Sequence, residues 1–285
     1  MKNPEIKTNW PHGHFFSPVV NPTEEVRAYW KRERNITPDQ LAGIKLDLGK
    51  MIDLWMANRD YLVANRFPST ADGKTRFYID NPAYPDGDAA CLGLIMRSFR
   101  PHRIIEIGSG YSTACMLDWA DRLELPGFEL TCIEPFPATL QRVLKPTDRV
   151  SIVQSMVQDV DLAVFGKLEA GDILFIDSTH VLKTGSDVHF ELMYILPILK
   201  PGVIIHFHDC QYPFEYNERA VFEANFSWNE AYALRCFLMY NTAFTIFFWN
   251  TMFQRFCPPN IRADFATIAR NPGGGIWIVK EDHPA

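Results

Sequence analysis

Residues Arg103-Ile104-Ile105-Glu106-Ile107-Gly108-Ser109-Gly110-Tyr111-Ser112-Thr113-Ala114-Cys115 limit the fold more than any other stretch. They read as a short strand, a glycine turn and the start of a helix. Ile104, Ile105 and Ile107 are β-branched, and Glu106 is the one polar residue among them, as in a central parallel strand covered on both faces. Gly108 and Gly110 let the backbone turn sharply and approach a ligand. Ser112 and Thr113 stand where a helix would be capped. A helix N-terminus at that point offers free N–H groups and the positive end of a dipole.

Thr113 occupies the place of the third glycine of the dinucleotide fingerprint, and an acid, Glu106, lies two residues before the first glycine. A carboxylate there would repel a pyrophosphate and suits a cationic ligand. This E-x-G-x-G pattern resembles the first motif of the class I S-adenosylmethionine (SAM)-dependent methyltransferases. The resemblance extends over residues 85–285 and implies a ligand with a sulfonium and an ammonium group. Gly108, Ser109, Gly110 and Ser112 would then form the cofactor turn beside Glu106.

Leu130-Thr131-Cys132-Ile133-Glu134 is a second strand ending in an acid. Ligands of open α/β sheets bind at the carboxyl ends of the strands, so Glu134 suits the ribose hydroxyls. Residues 149–154 form a third strand. In the catechol O-methyltransferase type of enzyme, an S-Q-D run follows that strand and borders the adenine. Val157-Gln158-Asp159 stands in its place, which implies an adenine contact for Gln158. Gly171 to Asp177 and Val203 to Asp209 are the fourth and fifth strands, joined by a helix over 186–199. Residues 243–249 and 275–279 read as two closing strands, with a helical insertion over 251–271 between them. Gly273-Gly274-Gly275 precedes a strand and no helix, so it reads as a turn.

Neighbouring fourth and fifth strands would gather Asp177, His180, His208 and Asp209 at one edge. Burying so many ionisable groups without pairing costs several kcal/mol, roughly, and the set suits a divalent cation. The resemblance to the catechol-type enzymes implies Asp177, His208 and Asp209 as ligands of magnesium or another divalent cation. It places His180 where their general base stands, and an imidazole titrating near neutrality suits that work. A one-residue bulge would substitute Cys210 for His208, a poorer ligand set for magnesium. His206, inside the strand, reads as a satisfied core histidine. His189 reads as a surface residue.

Residues 1–80 read as an irregular tail with a helical cap, and 81–285 as the methyltransferase domain. Helices are expected from Pro22 to Arg34 and from Thr37 through Met56, the latter with one apolar face. His12 and His14 fall in the tail. Tyr84 and Asp88 precede the glycine strand and could touch the cofactor, and Asp88 is equally explained as a helix cap. The aromatic loop 211–216 would line a substrate pocket.

A net charge of −6 gives no reason to expect nucleic acid or an anionic membrane. No apolar run is long enough to span a bilayer, and no signal peptide is visible. Six cysteines without a C-x-x-C pair point to a reducing cytoplasm. The expectation is an α/β, Rossmann-like seven-stranded methyltransferase sheet, last strand antiparallel, with an N-terminal helical cap serving as lid or homodimer contact. The expected activity is metal-assisted O-methylation of a hydroxylated small molecule. The rival readings are a non-haem iron oxygenase built on the His/Asp cluster and a SAM-binding protein without catalysis.

Overall fold

In the computed structural model, which describes residues 8–282, the strand Arg103–Ile107 (β1) is an interior strand, third from one edge, of a seven-stranded sheet. The others are β2 (Glu129–Ile133), β3 (Val150–Val153), β4 (Ile173–Ile176), β5 (Ile204–Phe207), β6 (Phe244–Trp249) and β7 (Ile276–Lys280). Their order is β3-β2-β1-β4-β5-β7-β6. Strands β1 to β5 pair in parallel, and β7 runs antiparallel between β5 and β6. Both closing strands and the reversed last strand were expected. All four residues of β4 and all four of β5 are buried, because helices cover both faces of the parallel region.

One consequence of the register governs the site. Ile107 pairs with Ile133 and Ile176, and Ile176 pairs with Phe207. The next residue of each strand therefore falls in one row at the carboxyl edge: Gly108, Glu134, Asp177 and His208. Ladder hydrogen bonds continue into that row. Gly108 N donates to Ile133 O (3.1 Å), Asp177 N to Ile107 O (2.9 Å) and His208 N to Ile176 O (2.9 Å). Residues scattered over a hundred positions are thus held by backbone bonds, with little freedom to drift.

The helices are α1 (Glu24–Glu33), α2 (Leu48–Ala64), α3 (Asp86–Phe99), α4 (Tyr111–Arg122), α5 (Ala138–Val143), α6 (Asp187–Phe190), α7 (Leu196–Ile198), α8 (Glu230–Leu238), α9 (Asn250–Phe256) and α10 (Pro259–Ile268). A π-helical stretch, Glu191–Ile195, joins α6 to α7, so the helix expected over 186–199 is present but locally underwound. Helices α9 and α10 fill the expected insertion.

The second N-terminal helix begins later than its sequence suggests. Pro38–Gln40 makes only a 3-10 turn, and Gly43 adopts φ +73°. Helix α2 starts after Asp47, whose carboxylate accepts from Lys50 N at 3.0 Å, and runs past Met56 to Ala64. The side-chain cap decides the boundary, and Pro38 does not. Helix α2 packs on α3, α9 and β6. Helix α1 instead holds the aromatic loop: Trp30 donates to Tyr216 O (2.9 Å) and Arg34 to Tyr212 O and Glu215 O (3.1 and 2.8 Å).

Candidate active site

The glycine turn closes over Glu106. This carboxylate is fully buried and accepts from Ser112 Oγ and Thr113 Oγ1, each at 2.5 Å, and from Cys132 Sγ at 3.3 Å. Ser112 and Thr113 thus point their hydroxyls inward; the N-cap residue of α4 is Gly110, whose N–H donates to Thr113 Oγ1 at 3.1 Å, so Thr113 also helps to cap the helix. Burial raises the Glu106 carboxyl to about 7 against the opposing pull of the Ser112, Thr113 and Cys132 hydrogen bonds. Gly108 adopts φ +81°, and a Cβ there would stand 2.0 Å from Asp177 O, so only glycine lets β1 and β4 meet.

Beside the turn lies a cleft of about 240 Å³, lined among others by Gly108, Glu134, Phe136, Val157, Gln158 and Asp177. Glu134 accepts from Ser109 N (3.2 Å) and Phe136 N (2.7 Å), which fixes its carboxylate at the cleft wall with lone pairs to spare. Gln158 sits in a 3-10 turn, Val157–Asp159. Its Nε2 donates to Gly185 O at 2.8 Å, while its Oε1 is buried and without a partner. Ser109 Oγ is likewise buried and unpartnered. Buried polar atoms are normally satisfied, so two orphans around one cleft are what a polar ligand would complete.

Asp177 belongs to this cleft and also to the second cluster. His208 Nδ1 stands 3.4 Å from Asp177 Oδ1 and 3.7 Å from Asp209 Oδ2. His180 Nε2 stands 3.5 and 3.8 Å from the same two oxygens. Two imidazole nitrogens therefore alternate with two carboxylate oxygens around a ring. Behind the ring, His180 Nδ1 meets Glu230 Oε2 at 2.8 Å, and His208 Nε2 faces Asp88 Oδ2 at 3.3 Å. Burial disfavours charge on His180, but its bonds to Asp177 and Glu230 win and push its pKa up to about 10. His208 is likewise buried yet shifted upward by Asp177, Asp209 and Asp88. Against the cost of desolvation, Asp177 is held well below the usual carboxylate range by His208 and His180.

The donor set is chemically suited to a divalent cation. Among the described residues, however, no group of three or more His, Cys, Asp or Glu side chains is arranged to hold a metal ion as it stands. The spacing shows why. Ligands about 2.1 Å from one cation stand roughly 3.0–3.4 Å apart, and the ring edges are 3.4–3.8 Å. A contraction of a few tenths of an ångström separates the two, and the Asp177 and Asp209 side chains, 32% and 34% exposed, are the parts able to move.

Tyr84 and Asp88 do not reach the cleft. Tyr84 is buried, donates to Asp88 O and stacks on His208 with ring centroids 5.5 Å apart. Asp88 is inside α3, whose N-cap is Pro85, so it is not a cap. Its carboxylate accepts from Asn250 Nδ2 (2.7 Å), Gly275 N (3.1 Å) and Gly274 N (3.2 Å). His206 is in the core as expected but not satisfied: it stacks between Phe175 and Trp277, and neither ring nitrogen has a partner. Burial keeps it neutral. His189 is half-buried beside Tyr194. His14 stacks on the exposed Trp10 and lies in the tail.

Glu230 is the residue that motif reading missed. Besides its side-chain bond, the backbone N–H groups of Asn229 and Glu230 both donate to His180 O, at 3.0 and 3.1 Å. One signal was available: Glu230 falls on the same face of its helix as Leu234 and Leu238, and a carboxylate in a buried stripe needs a partner.

Residues 105–210 match the family described as "Methyltransferase domain". That span holds the glycine turn, Glu134, Gln158, Asp177, His180, His208 and Asp209. Over those residues the chain carries a methyltransferase domain. This methyltransferase is 30% identical over 168 residues to an uncharacterized protein of Archaeoglobus fulgidus, the match covering 58% of this chain and 76% of that one. It is similar to a methyltransferase of Podospora anserina solved with S-adenosylhomocysteine (SAH), at 15% identity and TM-score 0.44, covering 91% and 95% of the two chains. It is also similar to an O-methyltransferase of Bacillus cereus in complex with SAH, at 17% identity and TM-score 0.42, covering 89% and 99%. No helix among the described residues is long and apolar enough to cross a membrane.

Proposed function

We propose that this methyltransferase moves the SAM methyl group to a hydroxyl of a small molecule. The observation that carries the reading is the double membership of Asp177, which lines the cofactor cleft and closes the His/Asp ring. Bound SAM supplies an electrophilic methyl carbon. Glu134 would hold the ribose hydroxyls and Gln158 Oε1 the exocyclic amine of adenine. Gly108, Ser109, Gly110 and Ser112 shape the turn, and Glu106 holds that turn from beneath. The sulfonium would then stand next to the ring, so an acceptor seated on the ring is in line for attack, and positioning contributes much of the rate.

His180 is the base in this reading. At neutral pH its proton is held by Asp177 and Glu230, so Nε2 is not yet an acceptor. Once Asp177 and Asp209 are engaged elsewhere, that hold weakens, Nε2 gives up its proton to solvent, and it can then take the hydroxyl proton. Asp177, His208 and Asp209 would hold a divalent cation, which as a Lewis acid lowers the pKa of a bound hydroxyl. Trp228, whose ring centroid is 4.5 Å from that of His180, forms an apolar wall over the base. The test is incubation with methyl-13C SAM and a panel of phenols, sugars and aliphatic alcohols, read by carbon NMR. A methoxy resonance that disappears in His180→Ala supports the reading. A product labelled on nitrogen or sulfur contradicts it.

A further inference from the structure

At the amino edge of the sheet, away from the cofactor cleft, helices α2, α3 and α4 enclose an open groove of about 650 Å³, lined among others by Tyr61, Arg97, Ser98, Arg100, Arg122 and Glu124. Arg97 and Arg122 stand in the last turns of α3 and α4, and Arg100 is the C-cap of α3, at φ +46°. Helix α4 starts at the glycine turn and ends at Arg122. Its length, roughly 18 Å, separates the groove from the cleft.

Carbonyl oxygens and aromatic faces fix these guanidinium groups, and no carboxylate does. Arg97 Nη1 donates to Ala57 O (3.0 Å) and Asn58 Oδ1 (2.6 Å), and the group lies over the Tyr61 ring at 4.8 Å. Arg122 Nη1 donates to Asn65 O, and its guanidinium covers Phe67 at 3.9 Å and Trp119 at 5.1 Å. Arg100 Nη2 donates to Leu123 O at 3.1 Å. Tyr61 ties the set together, its hydroxyl donating to Arg122 O at 3.0 Å. Among the described residues none of the three arginines makes an ion pair. Burial pulls the Arg122 pKa down against the opposing pull of Asp118, which is itself bonded to Arg76. Glu124, which is exposed, is the one acid among the lining residues. A guanidinium carries five donors, so most of them stay unspent here. The helix dipole favours cations at the ends of α3 and α4, but it explains neither their shared groove nor the spare donors. In a chain of net charge −6, three arginines without carboxylates around one groove are a charge that folding leaves unused.

We propose that this groove binds a phosphorylated small molecule, whose phosphate or diphosphate group is held by Arg97, Arg100 and Arg122. Several guanidinium forks suit a tetrahedral polyoxyanion, whereas one planar fork already satisfies a carboxylate. The groove is larger than a phosphate and has the size of a small-molecule site, so an organic body fits against Leu54 and Leu123. The site is distinct from that of methyl transfer and does not depend on that reading.

The experiment is calorimetry on the whole chain, with sodium pyrophosphate as the probe and malonate as the dicarboxylate comparison. Pyrophosphate is expected to bind with a Kd on the order of 100 μM or tighter and about tenfold more tightly than malonate. Arg97→Gln and Arg100→Gln are each expected to weaken it about tenfold, with SAH affinity unchanged and urea unfolding showing both variants folded. Protein saturated with SAH is expected to bind pyrophosphate at the same stoichiometry. No binding at millimolar pyrophosphate, or equal affinity for malonate, overturns the proposal on the wild-type protein alone. Full affinity in a folded Arg97→Gln/Arg100→Gln double variant overturns it too. Displacement of pyrophosphate by SAH would put the anion in the cofactor cleft and sink the separate site. Duplex RNA bound more tightly than pyrophosphate through the same arginines would make the groove a nucleic-acid surface and refute the small-molecule assignment.

Discussion

Glu106 gives this methyltransferase a dependence of stability on pH that can be worked out from its surroundings. The carboxyl is fully buried, and its pKa is raised from an ordinary 4.5 to about 7. Between those values the folded chain keeps a proton that the unfolded chain has lost. The native state therefore binds more protons, and stability falls as pH rises through this window. Integrating the linkage relation from pH 5 to pH 8 gives a loss of about 2.5 kcal/mol from this one group. Glu106→Gln removes the titration. Its amide can still accept from Ser112 and bond to Thr113, so the packing survives. Urea unfolding of both proteins at pH 5 and pH 8 isolates the effect, because titrations elsewhere cancel in the difference. The stability of Glu106→Gln relative to wild type should improve by about 2.5 kcal/mol between pH 5 and pH 8. A relative stability that does not change with pH, or worsens, would show that Glu106 is ionised at no cost and refute the reasoning.

Two further perturbations follow from close packing. Gly108→Ala drives a Cβ into Asp177 O and forces a residue with a side chain to φ +81°, so β1 and β4 must part at the cleft; SAH affinity measured by calorimetry should fall at least a hundredfold. The Arg76 side chain is 7% exposed and bonds Asp118, Asp121 and Asp148 at 2.5–2.8 Å. Arg76→Leu strands two buried carboxylates and should cost about 3–5 kcal/mol in urea unfolding at pH 7. That cost should shrink as pH falls through the carboxylate range, because Asp148, buried but held below its ordinary pKa by Arg76, then takes up a proton.

What the sequence made legible was local. The β-branched run before Gly108 and the strands ending in Glu134, Asp177 and His208-Asp209 each carry their own signal. The parallel register then aligns them without further information. The partners behind the histidines were not legible. Glu230 is 50 positions from His180, and Asp88 is 120 positions from His208 on a helix of the opposite end of the domain sequence. No periodicity links such pairs; only the packing of α8 and α3 against the strand ends does. Asp88 looked like a cap because it is an acid near a helix start, a local reading that the 273–275 loop overrides. The start of α2 failed for the opposite reason: Pro38 is a strong local signal, but Gly43 and the Asp47 cap lie downstream and set the boundary.

The central claim is that the cleft beside Gly108 and Glu134 holds the methyl donor. Calorimetric titration with SAH, on wild type and on Glu134→Ala, tests it most directly. Micromolar binding to wild type that weakens at least tenfold in Glu134→Ala, with the variant still folded, is the result predicted. Wild-type protein that binds neither SAH nor SAM, or a Glu134→Ala variant that binds as tightly as wild type, would contradict it.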